Sequence, residues 1–204
     1  MQGAGLKSVA PAPTLRLGRQ AATCALFCAL ALAVMAWRHP HDWLADTRTG
    51  WALPVQLALA AAATATAWWL IVLVRRSPHW LQRVPAPSSM QGLDLSGYRP
   101  LAVALLAGIG EELLFRAALL PALGLPGSSA LFALAHVRTA LLAGPGWGLR
   151  GLYIAQTLLA GLALGLVYLH LGLLVAVVLH VLIDWVGLSL MAARSKDLGP
   201  AGRP

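Results

Sequence analysis

Residues 98–120 read YRPLAVALLAGIGEELLFRAALL, an apolar run that is interrupted near its middle by three charged residues. The run is long enough to cross a hydrocarbon core, which takes about 20 apolar residues in a helix. A charge at the centre of a bilayer costs about 2.5–3.5 kcal/mol even on the gentler insertion scales. The stretch therefore predicts a membrane helix whose Glu111, Glu112 and Arg116 face the interior of a helical bundle.

The composition of the whole chain also indicates a membrane protein. Of its 204 residues, 59% are hydrophobic and only 11% are charged, whereas soluble domains carry about 25% charged residues. The net charge of +8 does not indicate nucleic-acid binding, because the Lys and Arg residues are not clustered in a patch with interleaved aromatic residues. Cys24 and Cys28 match no zinc-binding spacing, and we interpret them as packing residues.

Six apolar segments predict an all-α fold, a polytopic membrane bundle of about six transmembrane helices. The predicted spans are residues 20–37, 51–74, 98–120, 126–142, 149–169 and 171–191. With both termini in the cytoplasm, twelve Lys and Arg residues fall in cytoplasmic segments and two, Arg38 and Arg48, fall in outer loops. That distribution follows the positive-inside rule.

The spans divide the chain into four predicted regions. These are a flexible cytoplasmic tail (1–19), two accessory helices with a cytoplasmic linker (20–97), a core of four helices (98–192) and a C-terminal tail (193–204). The Ala- and Leu-rich composition is typical of bacteria, so we expect a multi-pass protein of the bacterial cytoplasmic membrane.

Local signals refine the predicted helices. Pro121 should end the third span, and Ser128 or Ser129 should cap the start of the fourth. Gly161 and Gly165 form a GxxxG pair, which favours close packing of the fifth helix against a neighbour.

Helical spacing separates the two glutamates. Glu112 and Arg116 are four residues apart, so they share a helix face and can pair. Glu111 points about 140° away from Arg116 at about 100° per residue. It is therefore the carboxylate less neutralised by the arginine, which suits a general base.

Two further predicted helices offer ionisable side chains at a similar depth. His136 lies near the middle of the fourth span, and His180 and Asp184 lie four residues apart near the middle of the sixth. We expect the Glu111 carboxylate and the two imidazole rings to lie within about 10 Å of one another in a functional pocket.

Three motifs in this part of the chain resemble those of the CPBP family of CAAX proteases and bacteriocin-processing enzymes. Residues 111–116 (EELLFR) resemble the motif EExxxR, residues 132–136 (FALAH) resemble FxxxH, and residues 180–184 (HVLID) resemble HxxxN/D. The resemblance covers about residues 98–191. It implies an intramembrane endopeptidase related to the type II CAAX prenyl endopeptidases, with a membrane-associated protein or peptide as substrate.

The resemblance also implies roles for the motif residues. Glu111 would activate the attacking water, assisted by His136, while His180 and Asp184 would stabilise the oxyanion. The remaining motif residues would support this set: Glu112, Arg116 and Phe132. Because the prenyl endopeptidases have Asn where this chain has Asp184, that residue is either protonated or orients His180 by accepting a hydrogen bond from its ring N–H.

Other chemistries remain open. Zinc bound by Glu111, His136 and His180 is one alternative, although no HExxH motif is present, and we favour a mechanism without a metal or other cofactor. The chain could instead be a non-enzymatic bacteriocin-immunity or partner-binding protein, an ion or proton transporter, or a b-type cytochrome with His136 and His180 as haem ligands.

Overall fold

The computed structural model describes residues 17–76, 95–142 and 146–197. Within these ranges a 3₁₀ turn, Ala45–Thr47, lies between the first two helices. In chain order the longer elements are α1 (Leu17–Arg38), α2 (Leu53–Arg76), α3 (Arg99–Glu112), a π-helical segment (Leu113–Leu119), α4 (Leu120–Ala135), α5 (Val137–Leu142), α6 (Trp147–Leu171) and α7 (Leu173–Asp197). The described ranges contain no strand, so the all-α prediction is confirmed for this part of the chain.

Three of these elements are long and apolar enough to cross a membrane: α1, α6 and the part Leu173–Ala192 of α7. They match the first, fifth and sixth predicted spans. The count of six spans and the side on which the termini lie stay predictions. Much of the predicted tails and linker, residues 1–16, 77–94 and 198–204, lies outside the described residues.

The centre of the bundle is α3, which packs against α1 on one side and α7 on the other. Helix α2 packs on α7, while α4 lies against the π segment and α6. Gly108 allows α3 to approach α7, because a Cβ at Gly108 would lie 3.2 Å from the backbone nitrogen of Val181. The glutamates at the end of α3 therefore lie beside the middle of α7.

Several contacts join the α1–α2 connection to the α6–α7 turn. The Tyr168 hydroxyl donates to the Asp46 carbonyl at 2.6 Å, and the Trp51 N–H donates to the Leu171 carbonyl at 3.4 Å. Gly172 between α6 and α7 has φ 110°, which favours glycine. We call this side of the bundle, residues 39–52 with Gly172, the turn end, and the opposite side, where α1 begins and α7 ends, the tail end.

Helix α3 runs from the tail end towards the turn end. A cavity of about 570 Å³ lies at the turn end, with Ile109 and Leu113 on its wall beside Trp51 and Leu173. The C-terminal part of α3 therefore faces the turn end, and its first residue, Arg99, lies towards the tail end.

The third predicted span differs from a regular α-helix. Its last part, Leu113–Leu119, is π-helical, and Pro121 does not end the helix. Pro121 follows directly after the π segment, and the backbone stays helical from Leu119 into α4. The break comes instead at Gly124, whose φ of 72° and ψ of 170° are readily adopted only by glycine.

The fourth predicted span also differs. Ser128 and Ser129 are not caps, because both are fully buried inside α4, and the Ser128 hydroxyl donates to the Phe115 carbonyl. The predicted helix over 126–142 is interrupted at His136, whose N–H donates to the Ala133 carbonyl at 3.1 Å. This i→i−3 bond tightens the end of α4, and α5 is a separate short helix.

The predicted role of the glycine pair in α6 is confirmed. A Cβ at Gly161 would lie 3.2 Å from Ser129 Cα, and one at Gly165 would overlap the Leu125 side chain. Both glycines therefore let α6 pack closely on α4, as small residues do between membrane helices.

Candidate active site

The fully buried Glu112 links three parts of the bundle. One carboxylate oxygen, Oε2, accepts a hydrogen bond from Arg116 Nε at 3.0 Å. The other, Oε1, lies 2.8 Å from His180 Nδ1 on α7. The predicted ion pair with Arg116 is confirmed, and the contact with His180 is a second role that the spacing within α3 did not reveal.

Arg116 is also fully buried, with its guanidinium carbon 4.9 Å from the centre of the Phe132 ring. The same ring contacts both histidines, with centroid distances of 4.6 Å to His136 and 6.1 Å to His180. A cation over an aromatic face is attracted by the ring quadrupole. Phe132 therefore packs the arginine and both imidazoles around one ring, in keeping with its predicted supporting position.

Glu111 has different surroundings from its neighbour. Its Oε2 lies 3.7 Å from His136 Nε2 and 3.8 Å from His180 Nε2. This oxygen is buried and has no hydrogen-bond partner among the described residues. The three motif helices converge as expected, well within the predicted distance. The separations are slightly longer than direct hydrogen bonds, a range in which one water can bridge two polar groups.

In both imidazole rings, the nitrogen Nδ1 lies beside a hydrogen-bond acceptor. His136 Nδ1 lies 2.8 Å from the Phe132 carbonyl, and His180 Nδ1 lies 2.8 Å from Glu112. A carbonyl oxygen or a carboxylate only accepts, so each Nδ1 carries a hydrogen. In both rings Nε2 is then the nitrogen that faces Glu111, with its lone pair available when the ring is neutral.

Asp184 lies at the edge of this group. Its Oδ2 is 3.7 Å from His180 Nε2, and its side chain is 37% exposed, against 15% for Glu111 and 8% for His180. Glu112 is the residue hydrogen-bonded to His180 Nδ1, whereas the i,i+4 spacing brings Asp184 towards Nε2, the ring nitrogen that faces Glu111. Whether Asp184 is protonated or orients His180 stays a prediction.

The structure adds one residue that the sequence did not suggest. Tyr153 on α6 is half-buried, and its phenol lies in the electrostatic field of the Asp184 and Glu111 carboxylates. The sequence around Tyr153 does not reveal this, because the two carboxylates belong to α3 and α7. A tyrosine near the start of a Leu- and Ala-rich helix was the only available signal.

The described ranges contain no group of three or more His, Cys, Asp and Glu side chains arranged to hold a metal ion. The residues of the zinc alternative, Glu111, His136 and His180, do converge, but they do not form such a group. We therefore derive no step through a metal. The cavity at the turn end is a separate feature, because no ionisable residue of the three motifs lines it.

The fold and the cluster together define a class: an all-helical integral membrane protein with a buried carboxylate–imidazole site between α3, α4 and α7. Residues 96–186 match the family described as type II CAAX prenyl endopeptidase Rce1-like. The matched residues contain all three motifs that the sequence analysis identified, so the match agrees with the predicted family resemblance. No curated protein and no solved structure matches the chain.

Proposed function

We propose that this chain is a multi-pass intramembrane endopeptidase of the bacterial cytoplasmic membrane, with both termini in the cytoplasm and a membrane-associated protein or peptide as substrate. The observation that carries the proposal is the position of Glu111 Oε2, which lies within 4 Å of the Nε2 atoms of both His136 and His180. No Lys or Arg of the described residues makes an ion pair with this carboxylate, so it is available as a base.

In the first step, a water held between Glu111 Oε2 and His136 Nε2 attacks the carbonyl carbon of the scissile bond. Glu111 takes one proton of this water, and His136 positions the water through its Nε2 lone pair. General bases of this kind contribute about 10²–10⁴-fold to rate. The Phe132 carbonyl holds the His136 ring in the required tautomer.

In the second step, the oxyanion of the tetrahedral intermediate needs donors. With both ring nitrogens protonated, His180 Nε2–H faces the reacting centre and can donate to it. The intermediate then collapses as the C–N bond breaks, and Glu111 returns its proton to the leaving amine. The products are a free carboxylate and a free amine, and the protein regains its starting state.

Glu112 and Arg116 act as positioning residues in this scheme. Glu112 holds His180 through Nδ1, and Arg116 holds Glu112, so the orientation of the donor ring is set from the side of the ring away from Glu111. Outer contacts of this type fix the ring orientation and tautomer of functional histidines.

The test is a cleavage assay in proteoliposomes with membrane proteins encoded beside the gene as candidate substrates. Wild type is compared with Glu111→Gln and His136→Ala, each with and without a metal chelator. We expect Glu111→Gln to lower kcat by about 10²–10⁴-fold and the chelator to have no effect. Loss of wild-type cleavage with chelator would overturn the metal-free mechanism.

The same variants separate the protease from the alternatives. A cellular phenotype that survives both Glu111→Gln and His136→Ala would favour an immunity or partner-binding protein. A Soret band in the purified protein would favour the cytochrome, and substrate-independent proton uptake that is lost in Glu111→Gln would favour the transporter.

A further inference from the structure

The charges of the site are not balanced. Three carboxyl groups, those of Glu111, Glu112 and Asp184, lie around the two imidazoles. Among the described residues, the guanidinium that lies with them is that of Arg116, and it is paired with Glu112. The charged groups that act on Glu111 and Asp184 are the two histidines and the other carboxylates. When His180 is an imidazolium it offsets one of the two remaining carboxylates, those of Glu111 and Asp184. The side of the site away from Arg116 therefore keeps a net negative charge unless a further cation is brought to it.

The acidic side is also the accessible side. Exposure of the side chain rises from 0% at Glu112 through 15% at Glu111 to 37% at Asp184. Asp184 lies one helical turn, about 6 Å, beyond His180 along α7, in the direction of the tail end. Tyr153 lies near the start of α6, which belongs to the same end of the bundle. A peptide that enters from the tail end therefore meets Asp184 before it reaches Glu111.

We propose that Asp184 determines specificity, and that the site selects substrates with a Lys or Arg next to the scissile bond on the side that leads to the tail end. The inference rests on the proposed endopeptidase function. The cation of the substrate pairs with Asp184, whose carboxylate is otherwise unmatched by any Lys or Arg of the described residues.

Charge complementarity works in both directions here. Two unit charges attract or repel strongly in a partly desolvated site, and more weakly where water reaches them. A substrate with an acidic residue, or a free terminal carboxylate, at the same position would face Asp184 and Glu111 together. In the Asp184→Asn variant, only the negative charge of Glu111 would remain. The site would then accept both basic and acidic substrates.

The inferred substrate also fits a membrane setting. Basic residues are enriched where membrane segments emerge on the cytoplasmic side. Arg76, Arg99 and Arg150 lie at or near the helix termini of this chain that face the tail end, which indicates that the tail end is cytoplasmic. A membrane-anchored substrate entering there would carry its own basic flank into the site.

The experiment uses the full chain in proteoliposomes and a panel of single-span peptides that share one sequence. The peptides carry Lys, Gln or Glu at one position at a time in the segment that leads from the scissile bond to the tail end. The peptides compete in one reaction, and the cleavage products are identified by mass spectrometry. Wild type is compared with Asp184→Asn and Asp184→Glu. Asp42→Asn is the control, because it neutralises an exposed carboxylate paired with Arg48 at the turn end.

We expect wild type and Asp42→Asn to cleave the Lys peptide about five- to tenfold faster than the Gln peptide and the Glu peptide more slowly still. Asp184→Glu should keep this order, whereas Asp184→Asn should bring the Lys:Gln ratio to about one. An unchanged Lys:Gln ratio in Asp184→Asn would overturn the inference, as would equal cleavage of the three peptides by wild type. Either result would leave the protease function intact.

A binding measurement makes the inference independent of turnover. Glu111→Gln protein should bind the Lys peptide about five- to tenfold more tightly than the Glu peptide, and the additional change Asp184→Asn should reduce this difference. Equal binding of both peptides would count against the inference. By contrast, a panel on which wild type shows no cleavage beyond that of Glu111→Gln would overturn the proposed protease function itself.

Discussion

At the residue scale, two adjacent glutamates have separate tasks because their surroundings differ. Glu112 is fully buried and bound at both carboxylate oxygens, so its charge is matched and its position fixed. Glu111 has a buried oxygen without a hydrogen-bond partner among the described residues. The sequence predicted the pair with Arg116, because residues four apart meet on any helix. It could not predict the contact with His180, which depends on how α3 and α7 pack.

Glu112→Gln should destabilise the protein far more than Glu111→Gln. An amide cannot neutralise the buried Arg116, and an unmatched buried charge costs about 3–5 kcal/mol. Glu111→Gln breaks no hydrogen bond of the described structure, so its free energy of unfolding should stay within about 1 kcal/mol of wild type. Thermal unfolding of the two variants and wild type in the same detergent measures these differences in stability.

A double variant separates stability from chemistry at the same position. Glu112→Gln combined with Arg116→Met removes both charges and should recover much of the lost stability. It should not recover activity, because His180 still lacks its carboxylate. Equal destabilisation by Glu111→Gln and Glu112→Gln would contradict the different environments described for the two residues.

At the scale of elements, the π segment is held by a side chain from the next helix. The Ser128 hydroxyl donates to the Phe115 carbonyl, and Phe115 lies inside the π segment. A wider helical turn leaves backbone groups without their usual partners, and a hydroxyl can satisfy one of them. The apolar period of the sequence predicted a helix here, but not its type, since π and α segments share the same residues.

Ser128→Ala should lower the free energy of unfolding by about 1–3 kcal/mol, the cost of leaving a buried carbonyl unsatisfied. It should also lower kcat, because the π segment carries Arg116. Thr64→Ala is the control: its hydroxyl donates to Ala60 in its own helix, where the carbonyl already has a helical partner. Similar losses in the two variants would argue against a special role for Ser128.

Two glycines of α6 provide a matched pair for the packing of helices. A Cβ at Gly161 would lie 3.2 Å from Ser129 Cα and 3.3 Å from its carbonyl oxygen, whereas one at Gly151 would meet nothing within 4 Å. Gly161→Ala should therefore destabilise by about 1–3 kcal/mol through overpacking. Gly151→Ala should be neutral or stabilising by up to about 1 kcal/mol, since Ala favours a helix. Thermal unfolding of both variants is the measurement, and a stable Gly161→Ala would show that α4 and α6 separate easily.

At the scale of the whole molecule, apolar runs and basic flanks were enough to place the helices but not their interruptions. The predicted spans match the observed helices to within three residues at α1, α2 and α6 and at the start of α7, which continues six residues beyond the predicted end. The breaks at Gly124 and His136 were missed, because each depends on backbone geometry at a single residue inside an otherwise apolar stretch. The predicted Pro121 boundary was wrong, because the helix continues from the π segment through Pro121 and breaks only at Gly124.

Cysteines introduced at the turn end and at the tail end should react with a maleimide from opposite sides of the membrane. In a background with Cys24→Ser and Cys28→Ser, His41→Cys places a thiol at the exposed turn end and Gly148→Cys places one at the start of α6. With the termini in the cytoplasm, a membrane-impermeant maleimide should label His41→Cys in intact cells and Gly148→Cys only after permeabilisation. The reverse pattern would invert the orientation, and labelling of both from outside would require a different number of spans.

The π segment also sets the rotational phase of the site. Each of its hydrogen bonds spans one residue more than an α-helical bond, so it adds about one residue, or about 100°, between α3 and α4. The direction in which Glu111 and Glu112 project from α3 is thereby uncoupled from the direction in which Leu120, before the break at Gly124, packs against Tyr168. A deletion of Ala117 or Ala118 would keep this stretch apolar, yet with Leu120 held in place it would turn the two glutamates away from the histidines.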